Sequence, residues 1–257
     1  MIKLDQLRII SGKEGFNIAM IEKDYLVTQL LYLIKDVKGI YFKGGTALNK
    51  IFLHHKRLSE DLDFSATRDI KEIENDIKKT LEGSFFTTIT KGRELDGFTR
   101  LIVHYKLFHE DGTIFIDLNK KASIILKTEL KEIEHFYPDN IPKFSIHCLN
   151  VEEMIAEKIR ATSTRYKPRD YIDLYEIIKL KLPISLPLIE KKFDSIGEKF
   201  SPELIFMHTH KVFNSWNKDL AVIAKQKVEF KEVMSLIADY FKYKELKEIK
   251  KKAKAKK

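Results

Sequence analysis

Lys43-Gly44-Gly45-Thr46-Ala47-Leu48, followed fifteen residues after Thr46 by Asp61-Leu62-Asp63-Phe64, is the stretch on which the reading of this chain turns. Just upstream, Ile40-Tyr41-Phe42 is a short apolar strand, and downstream Ala47 to His54 places Leu48, Ile51 and Phe52 at helical spacing. The order strand, turn, helix therefore puts both glycines in the tight turn. Asp61 to Ser65 reads as a second strand, on which alternate side chains share a face, so that Asp61 and Asp63 project together while Leu62 and Phe64 pack behind them.

Two carboxylates side by side resist joint ionisation unless a cation lies between them. Hard oxygen donors of this kind suit Mg2+, with Mn2+ as an alternative, because Mg2+ takes one or two carboxylates and completes its shell with water and substrate phosphate. The turn supplies the phosphate half: Gly44 and Gly45 let backbone N–H groups approach a triphosphate, Thr46 has a hydroxyl to donate, and a helix start favours negative charge. Asp117, within the apolar run Ile114-Phe115-Ile116-Asp117-Leu118, is costly to bury without a purpose and is the candidate third acid. Three such acids can hold two metals and take the proton of an attacking hydroxyl, which is the chemistry of nucleotidyl transfer from an NTP substrate. The order of residues is wrong for a P-loop, and no Rossmann Gly-x-Gly-x-x-Gly occurs.

Working outward, helical periodicity runs from about Gly15 to Lys35 and from Asp69 to Leu81. The period then changes to two over 85–91, 98–108 and 113–118, with Asp96-Gly97 and Asp111-Gly112 as the expected turns. From Asn150 the pattern is helical, with Pro168, Pro183, Pro187 and Pro202 at expected helix starts and Asn150 and Glu153 placed for a capping box. The expected fold is α+β, a mixed sheet flanked by helices over 1–149 that holds the metal and triphosphate site. A helical region over 150–241 follows, expected to complete the site and the acceptor cleft, and then a lysine-rich tail over 242–257.

Gly44-Gly45-Thr46, Arg57-Leu58-Ser59 and Asp61-Leu62-Asp63-Phe64 resemble the signature of the nucleotidyltransferase superfamily in the form found in AbiEii/AbiGii-type toxins of type IV toxin–antitoxin and abortive-infection systems. Glu22-Lys23-Asp24-Tyr25 is similar to an N-terminal helix motif of that family, and Glu157-Lys158-Ile159-Arg160 and Arg169-Asp170-Tyr171-Ile172-Asp173-Leu174-Tyr175 to its two later motifs. The resemblance implies that Gly45 and Thr46 bind nucleotide phosphates, that Asp61 and Asp63 bind metal with Asp117 as third carboxylate, that Lys158 contacts the triphosphate, and that Asp170 orients Lys158. It also implies a tRNA or other RNA 3′ end as leading acceptor and a cognate antitoxin as partner. Two departures are Thr at position 46 where Ser is frequent, and a slightly long gap to Asp61. The same acids serve equally for transfer to a small molecule or protein side chain, or for a non-catalytic nucleotide-binding or nucleic-acid-binding protein of the same fold.

Composition narrows the setting. The longest apolar run, Leu26 to Ile34, falls far short of the roughly 20 residues of a membrane span. The start, Met1-Ile2-Lys3-Leu4-Asp5, has no signal-like apolar region, so a cytoplasmic protein without membrane contact is expected. A single cysteine, Cys148, excludes an internal disulfide and a Cys-based zinc site. The histidine pairs His54-His55 and His208/His210 lack a third ligand at useful spacing. Net charge is +9, yet 242–257 carries nine lysines against two glutamates, which leaves the remainder near neutral. Charge alone thus gives little support for a basic RNA-binding face.

Overall fold

The structure, a computed structural model, describes residues 1–108, 111–121 and 123–243. The chain forms two compact units, residues 1–154 with 222–225, and residues 155–221 with 226 onward. The lysine-rich tail from residue 244 lies outside the described residues.

The first unit begins with α1 (Leu4–Glu14) and α2 (Ile18–Ile34), then β1 (Ile40–Lys43), α3 (Gly44–Ile51), β2 (Leu62–Ala66) and α4 (Ile70–Leu81). It continues with β3 (Phe86–Leu95), β4 (Phe98–Lys106), β5 (Asp111–Asn119), β6 (Glu129–Glu132) and β7 (Ser145–Cys148). The strands make one mixed sheet in the order β3-β4-β5-β2-β1-β7-β6. The pairs β2–β5 and β1–β7 are parallel and the others antiparallel. The buried helix α2 is apolar around most of its circumference, with Ile21, Tyr25, Leu26, Val27, Leu30, Leu31 and Ile34 all in the core, as a helix of that composition requires. α4 is amphipathic: Ile73, Ile77 and Leu81 are buried, and the Asp69 carboxylate caps its start by accepting from the N–H groups of Lys71 and Glu72.

Several local expectations are corrected. Gly15 does not open a helix; at φ +74° it ends α1, while Asn17 opens α2 by accepting from the N–H of Ala19. α1 buries only Leu7, too little apolar pattern to be read in sequence. Asp111 and Gly112 lie inside β5, paired with Lys106 and Tyr105, because Tyr105 packs over the Cα of Gly112. Asn150 caps the helix that follows it, accepting from the N–H of Glu152, and the Glu153 carboxylate accepts from the backbone N–H groups of Ile125 and Leu126. Pro183 sits in a connection rather than at a helix start.

Helix α5 (Val151–Arg165) leads into the second unit, followed by α6 (Pro168–Lys179), α7 (Leu186–Asp194), the short α8 (Glu203–Phe206), α9 (Thr209–Leu220) and α10 (Phe230–Tyr240). Pro168 and Pro187 stand in the first turns of α6 and α7, where the missing N–H costs nothing. α6 is the centre: Tyr171, Leu174 and Tyr175 are buried, and the Tyr171 hydroxyl donates to the Ile205 carbonyl at 2.6 Å. Trp216 on α9 meets Phe230 of α10 edge to face at 5.2 Å and donates to the Val228 carbonyl.

Candidate active site

Strand register builds the site in the first unit. Lys43 on β1 lies opposite Asp63 on β2, Asp63 opposite Asp117 on β5, and Asp117 opposite Arg100 on β4. One row of charges thus crosses four neighbouring strands, beginning at the residue before the glycine turn. Gly44 has φ +80°, and a Cβ there would stand 2.8 Å from the Asp63 Cγ, so only glycine lets this carboxylate lie over the turn. At Gly45 a Cβ would stand 2.6 Å from a guanidinium nitrogen of the buried Arg57. Asn49 ties the same corner, donating to the Gly45 carbonyl and accepting from the Arg57 N–H. The buried Thr46 hydroxyl donates to the Asp61 carbonyl, which fastens the turn to the segment bearing the first acid. Its proton is committed within the protein, so a phosphate would be met here by backbone N–H groups of the first helical turn, for which Lys43 supplies no side-chain cap.

Asp117 is held by Arg100 through two parallel bonds of 2.7 Å, one to each carboxylate oxygen. The Arg100 guanidinium also lies over the Phe115 ring at 4.5 Å. Its hydrogen bonds to Asp117 raise the Arg100 pKa; burial opposes this, and the charges of Asp117, Asp61 and Asp63 add to it. All three acids therefore act on one guanidinium. Among the described residues no group of three His, Cys, Asp or Glu side chains is arranged to hold a metal. The pair Asp61 and Asp63 beside the first turn of α3 fits Mg2+, which needs only one or two carboxylates and takes phosphate oxygens for the rest.

Two further charged clusters come from the remaining motifs. On α2, Asp24 pairs with Lys50 at 2.7 Å, both fully buried; Lys50 also donates to Thr28, and the Tyr137 hydroxyl reaches the second Asp24 oxygen at 3.0 Å. Lys23 pairs with Glu60 at 3.1 Å. In the second unit Lys158 on α5 is buried between Asp170 at 2.8 Å and Asp173 at 2.9 Å, the two acids standing one helical turn apart on α6. Arg165 approaches Asp170 at 3.6 Å. Burial pushes the Asp170 pKa up, but Lys158 and Arg165 outweigh it and the net direction is down. Asp170 Oδ2 is buried without a hydrogen-bond partner. His54 and His55 both turn to Glu134, and His208 packs on Tyr166.

A sequence profile of the family described as "Nucleotidyl transferase AbiEii toxin, Type IV TA system" matches residues 29–233. The chain belongs to the AbiEii family. As an AbiEii protein it is a nucleotidyltransferase of a toxin–antitoxin family. Its fold is similar to that of MenT4, a nucleotidyltransferase toxin from Mycobacterium tuberculosis, with a TM-score of 0.66 at 17% identity over 94% of this chain and 89% of that one. JHP933 from Helicobacter pylori has a TM-score of 0.59 at 18% identity, covering 93% and 98% of the two chains. A nucleotidyltransferase structure from H. pylori has 0.58 at 17%, covering 91% and 99%. No curated protein matches the sequence.

Two residues of the charged clusters in this AbiEii chain carry little or no sequence signal. Arg100 had a weak signal, since Arg100 and His104 alternate with buried Leu101 and Val103 and so share a strand face with Ile102; only the register reveals that this face meets Asp117. Lys50 gave none, because its partner lies 26 residues away on another helix.

Proposed function

We propose that this AbiEii enzyme, with Mg2+, transfers a nucleotide from an NTP to a hydroxyl of an RNA acceptor, a tRNA 3′ end first among them, with release of pyrophosphate, and that a cognate antitoxin restrains it. The observation that supports this best is the row Lys43, Asp63, Asp117, Arg100 meeting the Gly44-Gly45 turn. Asp61 and Asp63 would hold the metal, which when bound stabilises charge developing on the phosphoryl oxygens. The backbone N–H groups after Lys43 bind phosphate, and Arg57 and Asn49 keep that turn in shape. Asp117, which Arg100 holds by both oxygens before nucleotide binds, takes the proton of the attacking hydroxyl as that hydroxyl's oxygen bonds to the α-phosphorus and the bond to pyrophosphate breaks. The resemblance of its motif to the family's supports Lys158 as the cation for the leaving group, and within the second unit Asp170 and Asp173 hold it. A cavity of about 380 Å³ beside Glu60, lined by Asn17, Lys23, Tyr105, Thr113 and Val222, has room for the nucleoside.

The test incubates the protein with Mg2+, each labelled NTP and total tRNA. Label entering RNA, and lost in Asp61→Ala with Asp63→Ala, is the expected result. Label in a small molecule or protein alone moves the acceptor, and NTP binding without any labelled product replaces the enzyme reading by one of binding.

A further inference from the structure

We infer that Arg100 takes the place of a second cation on Asp117 while no nucleotide is bound, so that the third carboxylate becomes available to metal only when phosphates arrive. The inference rests on the reading of this site as one for metal and NTP. Both Asp117 oxygens are occupied by the same guanidinium at 2.7 Å, which leaves no short, unshared oxygen to complete a metal shell. That agrees with the finding that no three-acid group among the described residues is arranged for metal.

Release demands no movement of the sheet. Asp117 is 13% exposed, whereas Arg100 is 34% exposed at the end of a long side chain, so the guanidinium can leave by rotation while β4 and β5 stay paired. Phe115 gives it a second surface to rest on. What draws it away is chemically defined: a phosphate accepts the same planar fork of N–H groups as a carboxylate does, and a triphosphate brings more charge than Asp117. Arg100 is thus a positioning residue that couples occupancy by nucleotide to assembly of the metal shell. A lysine offers a point charge without the fork and would hold Asp117 less firmly.

The experiment is a Mn2+ titration followed by electron paramagnetic resonance of the free ion, on the full chain and on Arg100→Ala, Arg100→Gln, Arg100→Lys and Arg100→Ala with Asp117→Asn. Each is measured without nucleotide and with an NTP analogue bearing a methylene bridge between the α- and β-phosphorus. Without nucleotide, Arg100→Ala and Arg100→Gln are expected to bind Mn2+ about tenfold more tightly than the parent, about 1.4 kcal/mol. Arg100→Lys should fall between, and adding Asp117→Asn should erase the gain. With the analogue the parent and the single variants should converge. Equal Mn2+ affinity without nucleotide in the parent and in either folded variant overturns the inference. A parent that binds no Mn2+ even with the analogue overturns instead the metal reading of the site, so the two failures are told apart.

Discussion

Two buried lysine–aspartate clusters occupy family motifs in this chain, and they differ in one oxygen atom. In the first unit, Asp24 and Lys50 are closed: one Asp24 oxygen takes the Lys50 ammonium, the other the Tyr137 hydroxyl, and Lys50 is further satisfied by Thr28. In the second unit, Lys158 is shared by two acids, and Asp170 keeps an oxygen buried and unpartnered. Buried polar groups are nearly always paired, so an exception calls for an explanation that a saturated network does not. Acids in both clusters belong to recognisable motifs. One therefore reads as a staple between α2, α3 and the 137 region, the other as a cation held at the ready with acceptor capacity to spare.

The largest expected effect breaks the closed cluster. Asp24→Asn leaves Lys50 as a buried cation opposite a neutral amide and should cost about 3–5 kcal/mol, read as a fall in the denaturant midpoint at unchanged slope. Replacing both partners, Asp24→Leu with Lys50→Met, should recover most of that loss, because the uncompensated charge is gone. A loss under about 1 kcal/mol in Asp24→Asn would remove the staple reading.

A second test separates the clusters by pH. Burial and the neighbouring Lys50 charge lower the His55 pKa from 6.5 to about 4. The unfolded chain therefore binds more protons between those values, so stability is full above pH 6.5 and falls by about 3 kcal/mol as pH drops through 4. His135, half-buried and near Lys50, shifts in the same direction. The second cluster behaves differently: the Asp170 pKa is lowered below its usual 3.8, so its contribution persists through that window and is lost only below it. Equilibrium unfolding of the parent and His55→Gln from pH 7 to 4 should show a shallower decline in the variant.

How much of this was legible depends on the range of the interaction. The β3–β4 hairpin is a local pattern and lies where alternation and turn chemistry place it, with Gly97 at φ +69° in its turn, whereas the helix expected from Ala47 begins already at Gly44 and the strand expected from Asp61 begins at Leu62. β6 and β7 were not read, since four-residue strands such as Glu129–Glu132 carry too little alternation, and only pairing with Phe42 and Cys148 reveals them. The adjacency of Asp117 and Asp63 was conditional on strand order, which alternation within a strand does not encode. Thr46 and Glu153 were read by residue type and position, and both gave their polar atoms to backbone partners far along the chain, Asp61 and residues 125–126.

The smallest expected effect on stability is also the sharpest test of the comparison. Asp170→Asn makes the same chemical change as Asp24→Asn, but Lys158 keeps Asp173 at 2.9 Å as a charged partner, and the oxygen that becomes an amide nitrogen had no hydrogen bond to lose. The stability cost should be about 1 kcal/mol, near the worth of one hydrogen bond. Under the proposed mechanism transfer should fall much further, at least tenfold in kcat with KM for NTP less affected, because Lys158 has lost one of the two acids that aim it. Denaturant midpoints and steady-state transfer measured on Asp24→Asn and Asp170→Asn decide the matter together. Equal destabilisation in the two variants would make the second cluster another staple, and the unpartnered oxygen would then mark no more than an unfilled acceptor in a structural knot.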